Sequence, residues 1–364
     1  MTHKFNVLIL GASYGSLLAT KLAMGGHHVT LVCLQQEADL INTQGTKVRF
    51  PIRGRAGLLQ IESGDLSGSI RAEIPGGIDL EKFQLVALAM QEPQYASDGV
   101  RDLMYAVARR GLPTMSIMNM PPLTFLRRMP GLDVDMLSGC YSASSVWEQL
   151  NPDRMTLCSP DPQAVRPPEE AVNVLQVTLP TNFKAAAFAR SEDTAMLRSI
   201  QADIEAARFP APEGPVEIPV KLKVHESLFV PTAKWPMLLT GNYRCVRRDG
   251  ARSIRDAVHS NLDESRSIYG WVQEVCVRLG ASPADLVPFE KYADAALGLT
   301  KPSSAARALF SCAPDIERVD LLVHKIAAQF QMQNTQLDEI VGIVNRRLEV
   351  NRALRPALRS EKGG

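Results

Sequence analysis

A turn of small residues near the start of the chain has the composition of a phosphate-binding loop. Gly11-Ala12-Ser13-Tyr14-Gly15-Ser16 follows the apolar run Phe5–Leu10 and precedes a helix-forming segment. Glycines in such a turn let backbone N–H groups approach a pyrophosphate, and the helix N-terminus adds partial positive charge. The spacing is G-x-x-x-G rather than the usual G-x-G-x-x-G, so an ordinary strand–helix turn is the alternative. The predicted contacts to a dinucleotide come from Gly11, Ser13, Tyr14, Gly15 and Ser16.

The segment after the second apolar run, His28–Cys33, is where such folds contact the adenosine ribose. An acid there is typical of NAD, and an arginine is typical of NADP. Here Gln35 follows the run, and its amide is suited to a ribose hydroxyl. Arg53 and Arg55 are either ligands of a 2′-phosphate or solvated loop charges. The sequence therefore favours NAD and leaves NADP open.

Two further residues have the chemistry of a redox site. Lys234 is followed by five residues without charge, Trp235-Pro236-Met237-Leu238-Leu239. Burial of a lysine in such surroundings favours its neutral form and suits it to proton transfer, whereas the alternative is a lysine that extends to solvent. Asn119 ends a buried run at the edge of the predicted sheet where ligands bind, and a turn or helix cap is its alternative.

The scaffold for these residues is predicted to be an α/β protein. Strand and helix signals alternate in the first half, which indicates a Rossmann-like, doubly wound parallel sheet. The polar, proline-rich residues 159–170 are expected to form a surface loop. From about Val224 onward the chain is predicted to be an all-α domain, with helices over 261–279, 314–331 and 336–354 and a disordered tail over 360–364. The predicted strands are Phe5–Leu10, His28–Cys33, Val48–Ile52, Leu58–Ile61, Phe83–Ala89, Thr114–Ile117 and Val172–Leu179.

Bulk properties exclude several classes of protein. The chain has 364 residues and a net charge of +1, which argues against nucleic acid or an anionic membrane as a partner. Its six cysteines show no CxxC pair or zinc spacing, so no metal site is expected. The start of the sequence shows no signal peptide, and no apolar run is long enough for a membrane span. A cytoplasmic enzyme with a small-molecule substrate is therefore expected.

Several segments together resemble the ketopantoate reductase family. LILGASYGSLLATKLAMGGHHVTLV matches that family's opening, apart from a one-residue deletion in the glycine loop. SIMNMPP at 116–122, AKWPMLLTGN at 233–242 and KPSSAARALFSCAPDIERVD at 301–320 match three later segments. The resemblance is weak between about 140 and 230. It implies a dinucleotide-binding domain over residues 1–222, with a divergent insertion at about 145–215, and a helical domain over 223–364.

The resemblance also implies roles for individual residues. Lys234 is expected to be the general acid/base, and Asn119 is expected beside the nicotinamide. Glu317 is expected to bind the substrate hydroxyl, although its spacing is shifted by one residue, so Asp315 and Asp320 are alternatives. The expected substrate contacts are Asn242, Ser303, Ser304 and Leu238. Ser303 and Ser304 are alternatively helix caps, and Glu317 is alternatively an acid favoured by a helix dipole.

Three departures from the family pattern point to a different substrate. Leu238 replaces an asparagine, and Met120 replaces a glycine and precedes two prolines. The family has a lysine at the end of the strand before this point, and here the residues are Ala89-Met90-Gln91. Gln91 is expected to contact the cofactor. The larger and less polar side chains predict a bulky or aromatic substrate.

Three functions remain open from the sequence. The favoured one is an NAD(P)-dependent oxidoreductase acting on a carbonyl/alcohol pair. The second is a lyase that uses bound NAD for transient alcohol oxidation, cleaves an adjacent C–C bond and returns the hydride. The third is a dinucleotide-binding protein without catalysis. Amphipathic helices near the C-terminus are compatible with a homodimer.

Overall fold

The computed structural model describes residues 3–212 and 214–360, with side chains described as far as residue 354. The chain divides into two compact units. Unit 1 comprises Met1–Met90, Gln94–Arg128 and Ser145–Pro231. Unit 2 comprises Gln91–Pro93, Met129–Ser144 and Thr232–Gly364.

Unit 1 contains the strands of the described residues. They are β1 (Asn6–Leu10), β2 (His28–Val32), β3 (Lys47–Pro51), β4 (Leu58–Glu62), β5 (Ser69–Glu73), β6 (Leu85–Leu88), β7 (Thr114–Ile117), β8 (Met155–Ser159), β9 (Gln163–Val165), β10 (Val174–Leu179), β11 (Phe183–Ala186), β12 (Phe209–Ala211), β13 (Gly214–Val216) and β14 (Leu222–His225).

The main sheet has eight strands within the described residues, in the order β14-β11-β8-β7-β6-β1-β2-β5. Neighbouring strands are parallel except β8 and β11, which are antiparallel. The central strands β6 and β7 are buried along their whole length, as expected for strands covered on both faces. The predicted doubly wound α/β sheet is therefore confirmed, with one antiparallel pair added.

A smaller sheet of four strands, in the order β4-β3-β10-β9, lies beside the main one in unit 1. The expectation of a surface loop over residues 159–170 is wrong in part, because β9 lies inside that segment. β9 pairs antiparallel with β10, and the carboxylate of Glu170 forms two hydrogen bonds with the guanidinium of Arg49 on β3. The backbone pairing of β9 and this ion pair hold the proline-rich segment in a defined conformation. Its composition alone does not predict that conformation.

The helices of unit 1 cover the faces of the sheet. The first, α1, begins directly after Gly11 and is buried over most of its length. It ends at Gly25-Gly26 as predicted, and Gly26 has a φ of +87°. The helices up to residue 206 are α1 (Ala12–Met24), α2 (Gln35–Gln44), α3 (Asp98–Arg110), α4 (Leu123–Leu126), α5 (Ser144–Glu148) and α6 (Ser191–Ala206).

The described residues of unit 2 are helical, which confirms the predicted all-α region. Asn261 caps α9 with its side chain, and Gly280 ends that helix at a φ of +116°. The helix predicted from Pro314 starts five residues later, and the tail from 361 lies outside the described residues. The helices are α7 (Trp235–Met237), α8 (Ile254–His259), α9 (Leu262–Leu279), α10 (Phe289–Ala296), α11 (Ser304–Phe310), α12 (Val319–Gln329) and α13 (Thr335–Ser360).

The segment Leu222–His225 forms β14 and pairs with β11, so unit 1 extends to Pro231 rather than to residue 222.

Within residues 3–212 and 214–360, no helix combines the length and apolar character needed to cross a membrane.

A buried lysine on α1, Lys21, joins this helix to the segment before β14. The side chain of Lys21 is 1% exposed, and its Nζ donates a hydrogen bond of 2.9 Å to the carbonyl oxygen of Ile218. Its ammonium also lies 5.9 Å from the ring centroid of Phe50. Burial, followed by the positive charge of Lys221, lowers the pKa of Lys21 to about 7.

The stability of the protein is expected to rise with pH above neutrality. The folded pKa of Lys21 lies below the value of about 10.4 in an unfolded chain, so the unfolded state binds more protons between these values. The free energy of unfolding should therefore increase by about 2 kcal/mol from pH 7 to pH 9. Urea unfolding at the two pH values measures this increase. Lys21→Met should remove it and Lys82→Met, at an exposed lysine, should retain it; an unchanged increase in Lys21→Met would contradict the assignment.

Candidate functional site

The carboxyl ends of β1 and β6 mark the switch point of the main sheet. From β1 the chain winds outward through β2 on one side, and from β6 it winds through β7 on the other. Leu10 and Leu88 are paired at the ends of the two strands. In open α/β sheets, ligands bind in the crevice at such a reversal because the loops leave in opposite directions. The structure brings the glycine turn to this position.

Gly11 is in close contact with the loop after β6. Its φ is +103°, which favours glycine, and its N–H donates to the carbonyl oxygen of Val32 at 2.9 Å. A Cβ at this position would lie 2.5 Å from Cγ of Met90 and 2.9 Å from the carbonyl oxygen of Ala89. Gly15 serves a different contact, since its Cβ would lie 2.8 Å from Cγ2 of Ile9 on β1. The first glycine lets the turn pack against the loop after β6, and the second lets α1 pack on the sheet.

The first turn of α1 presents its backbone without a side-chain cap. Such a turn leaves N–H groups available to an anion. Ser13 is exposed at this turn. Tyr14 instead donates a hydrogen bond of 2.6 Å to the carbonyl oxygen of Pro162, and Ser16 donates one of 2.5 Å to the carbonyl oxygen of Ala12. Of the three predicted side chains, Ser13 is the exposed one.

The charged residues near the end of β2 differ from those expected from the sequence. Gln35 lies in the first turn of α2, and its amide donates to the carboxylate of Asp39 at 2.8 Å. Glu37 and Arg166 form an ion pair nearby, which sequence reasoning missed because the two residues are far apart in the chain. Leu34 is 80% exposed and offers an apolar surface at this position. Arg53 and Arg55 lie on an exposed loop between β3 and β4.

Asn119 follows β7 and is half-buried. Its side-chain oxygen is buried and has no hydrogen-bond partner among the described residues. An unsatisfied buried acceptor of this kind is unfavourable unless a donor reaches it. Gln91 is exposed directly after the loop that Gly11 contacts. The two residues therefore follow neighbouring strands at the carboxyl edge of the sheet, as predicted for both.

Lys234 in unit 2 is half-buried and directly precedes α7. The residues after it are more deeply buried: Trp235 is 1% exposed, and Leu238 is 4% exposed. The indole N–H of Trp235 is buried without a hydrogen-bond partner in the described part of the chain. The residues that follow Lys234 in the chain are therefore buried, whereas Lys234 itself is half-buried.

The helix after Lys234 is irregular. Leu238–Asn242 forms a π turn, which adds a residue to the turn and rotates Asn242 away from the face that a regular helix would give. Tyr292 holds this turn, since its hydroxyl donates to the carbonyl oxygen of Met237 at 3.0 Å. A Cβ at Gly241 would lie 2.0 Å from the same hydroxyl, so a larger residue there would have to displace Tyr292. The sequence pattern predicted a helix but not this turn.

Asn242 and Ser303 are in contact. The hydroxyl of Ser303 donates to the carbonyl oxygen of Asn242 at 2.7 Å and accepts from the N–H of Ala306 at 3.1 Å. Ser303 therefore caps α11, which was the structural alternative for this residue. Ser304, the first residue of α11, is exposed.

The three candidate carboxylates differ in their surroundings. Asp315 pairs with Arg352 at 2.8 Å. Asp320 is fully buried and binds the guanidinium of Arg318 through both oxygens, each at 3.0 Å. Both alternatives to Glu317 are therefore paired with an arginine.

Tyr243 fixes the backbone on both sides of residue 318. Its buried hydroxyl donates to the carbonyl oxygen of Glu317 and accepts from the N–H of Val319 at 3.0 Å. Burial, with the charges of Asp320 and Glu317, raises the pKa of Tyr243 well above its usual value, so the phenol stays protonated. Burial and neighbouring groups that include Glu92 and Glu317 raise the pKa of Tyr141 in the same way.

Glu92 is a further buried acid that sequence reasoning missed. Its side chain is 1% exposed, and its carboxylate accepts the N–H groups of Ser142 and Ala143 at 3.0 and 2.8 Å. The signal in the sequence that could have identified Glu92 is its position directly after Gln91, a predicted cofactor contact. Among the described residues, no group of three or more His, Cys, Asp or Glu side chains is arranged to hold a metal ion.

Replacing Gly11 by alanine should destabilise the protein by roughly 2 kcal/mol, because the new Cβ meets the backbone of Ala89 at a strained φ. Urea unfolding measures the loss. Gly64→Ala is the matched control, because a Cβ there meets nothing within 4 Å and should change stability by less than about 0.5 kcal/mol. Equal stability of Gly11→Ala and the wild type would contradict the close approach.

Comparison with known proteins identifies the fold. No family model and no curated protein matches the sequence. Among solved structures, 2-dehydropantoate 2-reductase from Methylococcus capsulatus covers 95% of this chain and 97% of its own, with a TM-score of 0.64 and 11% identity. D-mandelate dehydrogenase, solved with NADH and anilino(oxo)acetate, covers 95% and 99%, with a TM-score of 0.64 and 9% identity.

A dimeric ketopantoate reductase from Staphylococcus aureus also matches, covering 95% of this chain and 99% of its own, with a TM-score of 0.55 and 10% identity. The similarity spans nearly the whole chain in all three comparisons, while the sequence identity is low. The fold that the sequence resemblance predicted is confirmed: this chain has the fold of the ketopantoate reductases and of D-mandelate dehydrogenase.

Proposed function

We propose that this protein is a divergent ketopantoate reductase-type oxidoreductase that uses a nicotinamide dinucleotide to interconvert a carbonyl and an alcohol. The observation that carries the proposal is the cradle formed by Gly11 against Ala89 and Met90. It lies at the switch point of the sheet, beside an uncapped helix N-terminus. The backbone N–H groups of this turn and of the first turn of α1 are proposed to bind the pyrophosphate.

The residues proposed to hold the dinucleotide follow four strands. Gly11 and Ser13 contact the pyrophosphate, Gln35 contacts the adenosine ribose, and Gln91 and Asn119 contact the nicotinamide half. NAD is preferred over NADP, because the segment 33–36 carries no cation and Arg166 is already paired with Glu37. When bound, the dinucleotide supplies or accepts a hydride.

Lys234 is proposed as the acid/base. Its Nζ donates a proton to the oxygen of the carbonyl during reduction and accepts one from the alcohol during oxidation. Trp235 and Leu238, which follow Lys234 in the chain, are buried. The amine must lie within hydrogen-bond reach of the substrate oxygen for this role.

Asn242, Ser304 and Glu317 are proposed to bind the substrate. Glu317 accepts a hydrogen bond from a substrate hydroxyl, and Tyr243 holds its backbone in place. Ser304 is exposed at the start of α11 and is proposed to contact a substrate carboxylate. Leu238, where related sequences have an asparagine, favours a bulky or aromatic substrate over ketopantoate. That preference agrees with the anilino(oxo)acetate found in the D-mandelate dehydrogenase structure.

A homodimer is proposed as the assembled form, as in the dimeric ketopantoate reductase from Staphylococcus aureus. The amphipathic helices of unit 2 are compatible with such an assembly.

Replacing Lys234 by methionine should lower kcat by roughly a hundredfold or more, because the developing alkoxide loses its proton donor. The test incubates the protein with NADH or NADPH and a panel of aromatic and aliphatic 2-keto acids, following absorbance and product mass together. Lys291→Met, at an exposed lysine of unit 2, should leave kcat unchanged. Full activity of Lys234→Met would remove this residue from the mechanism.

The same assay separates the other functions. Net oxidation of NADH with a reduced product supports the proposal. A cleaved product without net change of the cofactor identifies a lyase instead. Dinucleotide binding without any product identifies a protein that binds the cofactor but does not react.

A further inference from the structure

A groove of about 530 Å³ lies within unit 2, and none of the residues that line it is proposed to take part in the reaction. Its charged lining comprises four arginines and three carboxylates, so arginine is in excess by one. The apolar part of the lining consists of Val246, Ile340 and Ile343. The arginines are Arg244, Arg247, Arg248 and Arg252, and the acids are Asp249, Glu264 and Glu339.

Three of the arginines have a carboxylate partner. Arg244 is 8% exposed and binds Glu264 at 2.8 Å. Arg247 lies 3.2 Å from Asp249, and Arg248 lies 3.9 Å from Glu339. The last two pairs are exposed, so each stabilises the fold little and its arginine can turn towards a ligand at small cost.

Arg252 differs from the other three. Its Nε donates to the carbonyl oxygen of Arg244 at 2.9 Å, and its Nη1 donates to the hydroxyl of Ser260 at 3.3 Å. No carboxylate in the described part of the chain lies within ion-pair distance of it. Burial, followed by the positive charges of Arg244 and Arg247, lowers the pKa of Arg252. A half-buried guanidinium among like charges is stabilised by any anion that reaches it.

The long helix α13 adds to the positive potential. It begins at Thr335, and its second residue, Gln336, lines the groove. The side chain of Asn334 caps two N–H groups of the first turn, at Gln336 and Leu337. The macrodipole of the helix still places partial positive charge at this end.

We propose that this groove binds a small organic oxyanion. The phosphate or carboxylate head is bound by Arg252, with Arg247 and Arg248 turned towards it. The apolar body lies along Val246, Ile340 and Ile343. The pocket is wider than a bare inorganic ion requires, and its apolar wall gives an alkyl or aryl group a place to be buried.

The test is calorimetric titration of the full-length protein with hexyl phosphate, hexanoate and inorganic phosphate at low ionic strength. Saturable binding of hexyl phosphate or hexanoate, tighter than that of inorganic phosphate, is expected, and the two arms distinguish a phosphate from a carboxylate head. Arg252→Gln should weaken the binding roughly tenfold or more. Arg255→Gln, which removes the same charge from an exposed position outside the groove, should leave it unchanged.

Absence of saturable binding by both alkyl anions would overturn the proposal, and so would equal affinities in Arg252→Gln and the wild type. Circular dichroism establishes whether Arg252→Gln folds, because its side chain also bonds to backbone. The variant Arg247→Gln with Arg248→Gln changes exposed side chains alone and should weaken binding at least threefold by loss of charge. Unchanged affinity in this double variant would also contradict the assignment.

Discussion

The close approach of the Gly11 backbone to the Ala89–Met90 loop is the contact on which the proposed binding of a dinucleotide by unit 1 depends. A Cβ at residue 11 would lie 2.5 Å from Cγ of Met90 and 2.9 Å from the carbonyl oxygen of Ala89, so the loop and the helix can lie this close only because residue 11 is glycine. The parallel pairing of β1 with β6 brings the two loops together, and the reversal of winding keeps the crevice open. Gly15 lets α1 pack closely on β1, and this packing directs the N-terminus of the helix towards the same crevice.

Unit 2 positions its polar groups by backbone hydrogen bonds from buried tyrosines. Tyr243 joins the residues on either side of Arg318, and Tyr292 holds the π turn that follows Lys234. Burial raises the pKa of both phenols, so each remains a donor at any physiological pH. Hydrogen bonds from buried tyrosines therefore hold both the π turn that follows Lys234 and the start of α12. The π turn ends at Asn242, so these bonds also fix the backbone at that residue.

The sequence predicted the elements better than their contacts. The runs at β1, β2 and β7 and the glycine that ends α9 were found because burial and capping leave local patterns. The π turn at Leu238–Asn242 was not, because it depends on Tyr292 from a distant helix. In the same way the ion pair of Glu37 with Arg166 and the capping by Glu92 join residues far apart in the chain. The candidate site residues could be listed from the sequence, but the hydroxyl of Ser303 and the amide of Gln35 are bonded within the protein.

The central claim is that unit 1 binds a nicotinamide dinucleotide at the Gly11 crevice. Titration of the purified protein with NADH and with NADPH, followed by energy transfer from tryptophan to the reduced nicotinamide, tests it most directly. We expect saturable binding of one dinucleotide per chain, tighter for NADH than for NADPH. Absence of saturable binding by both would contradict it.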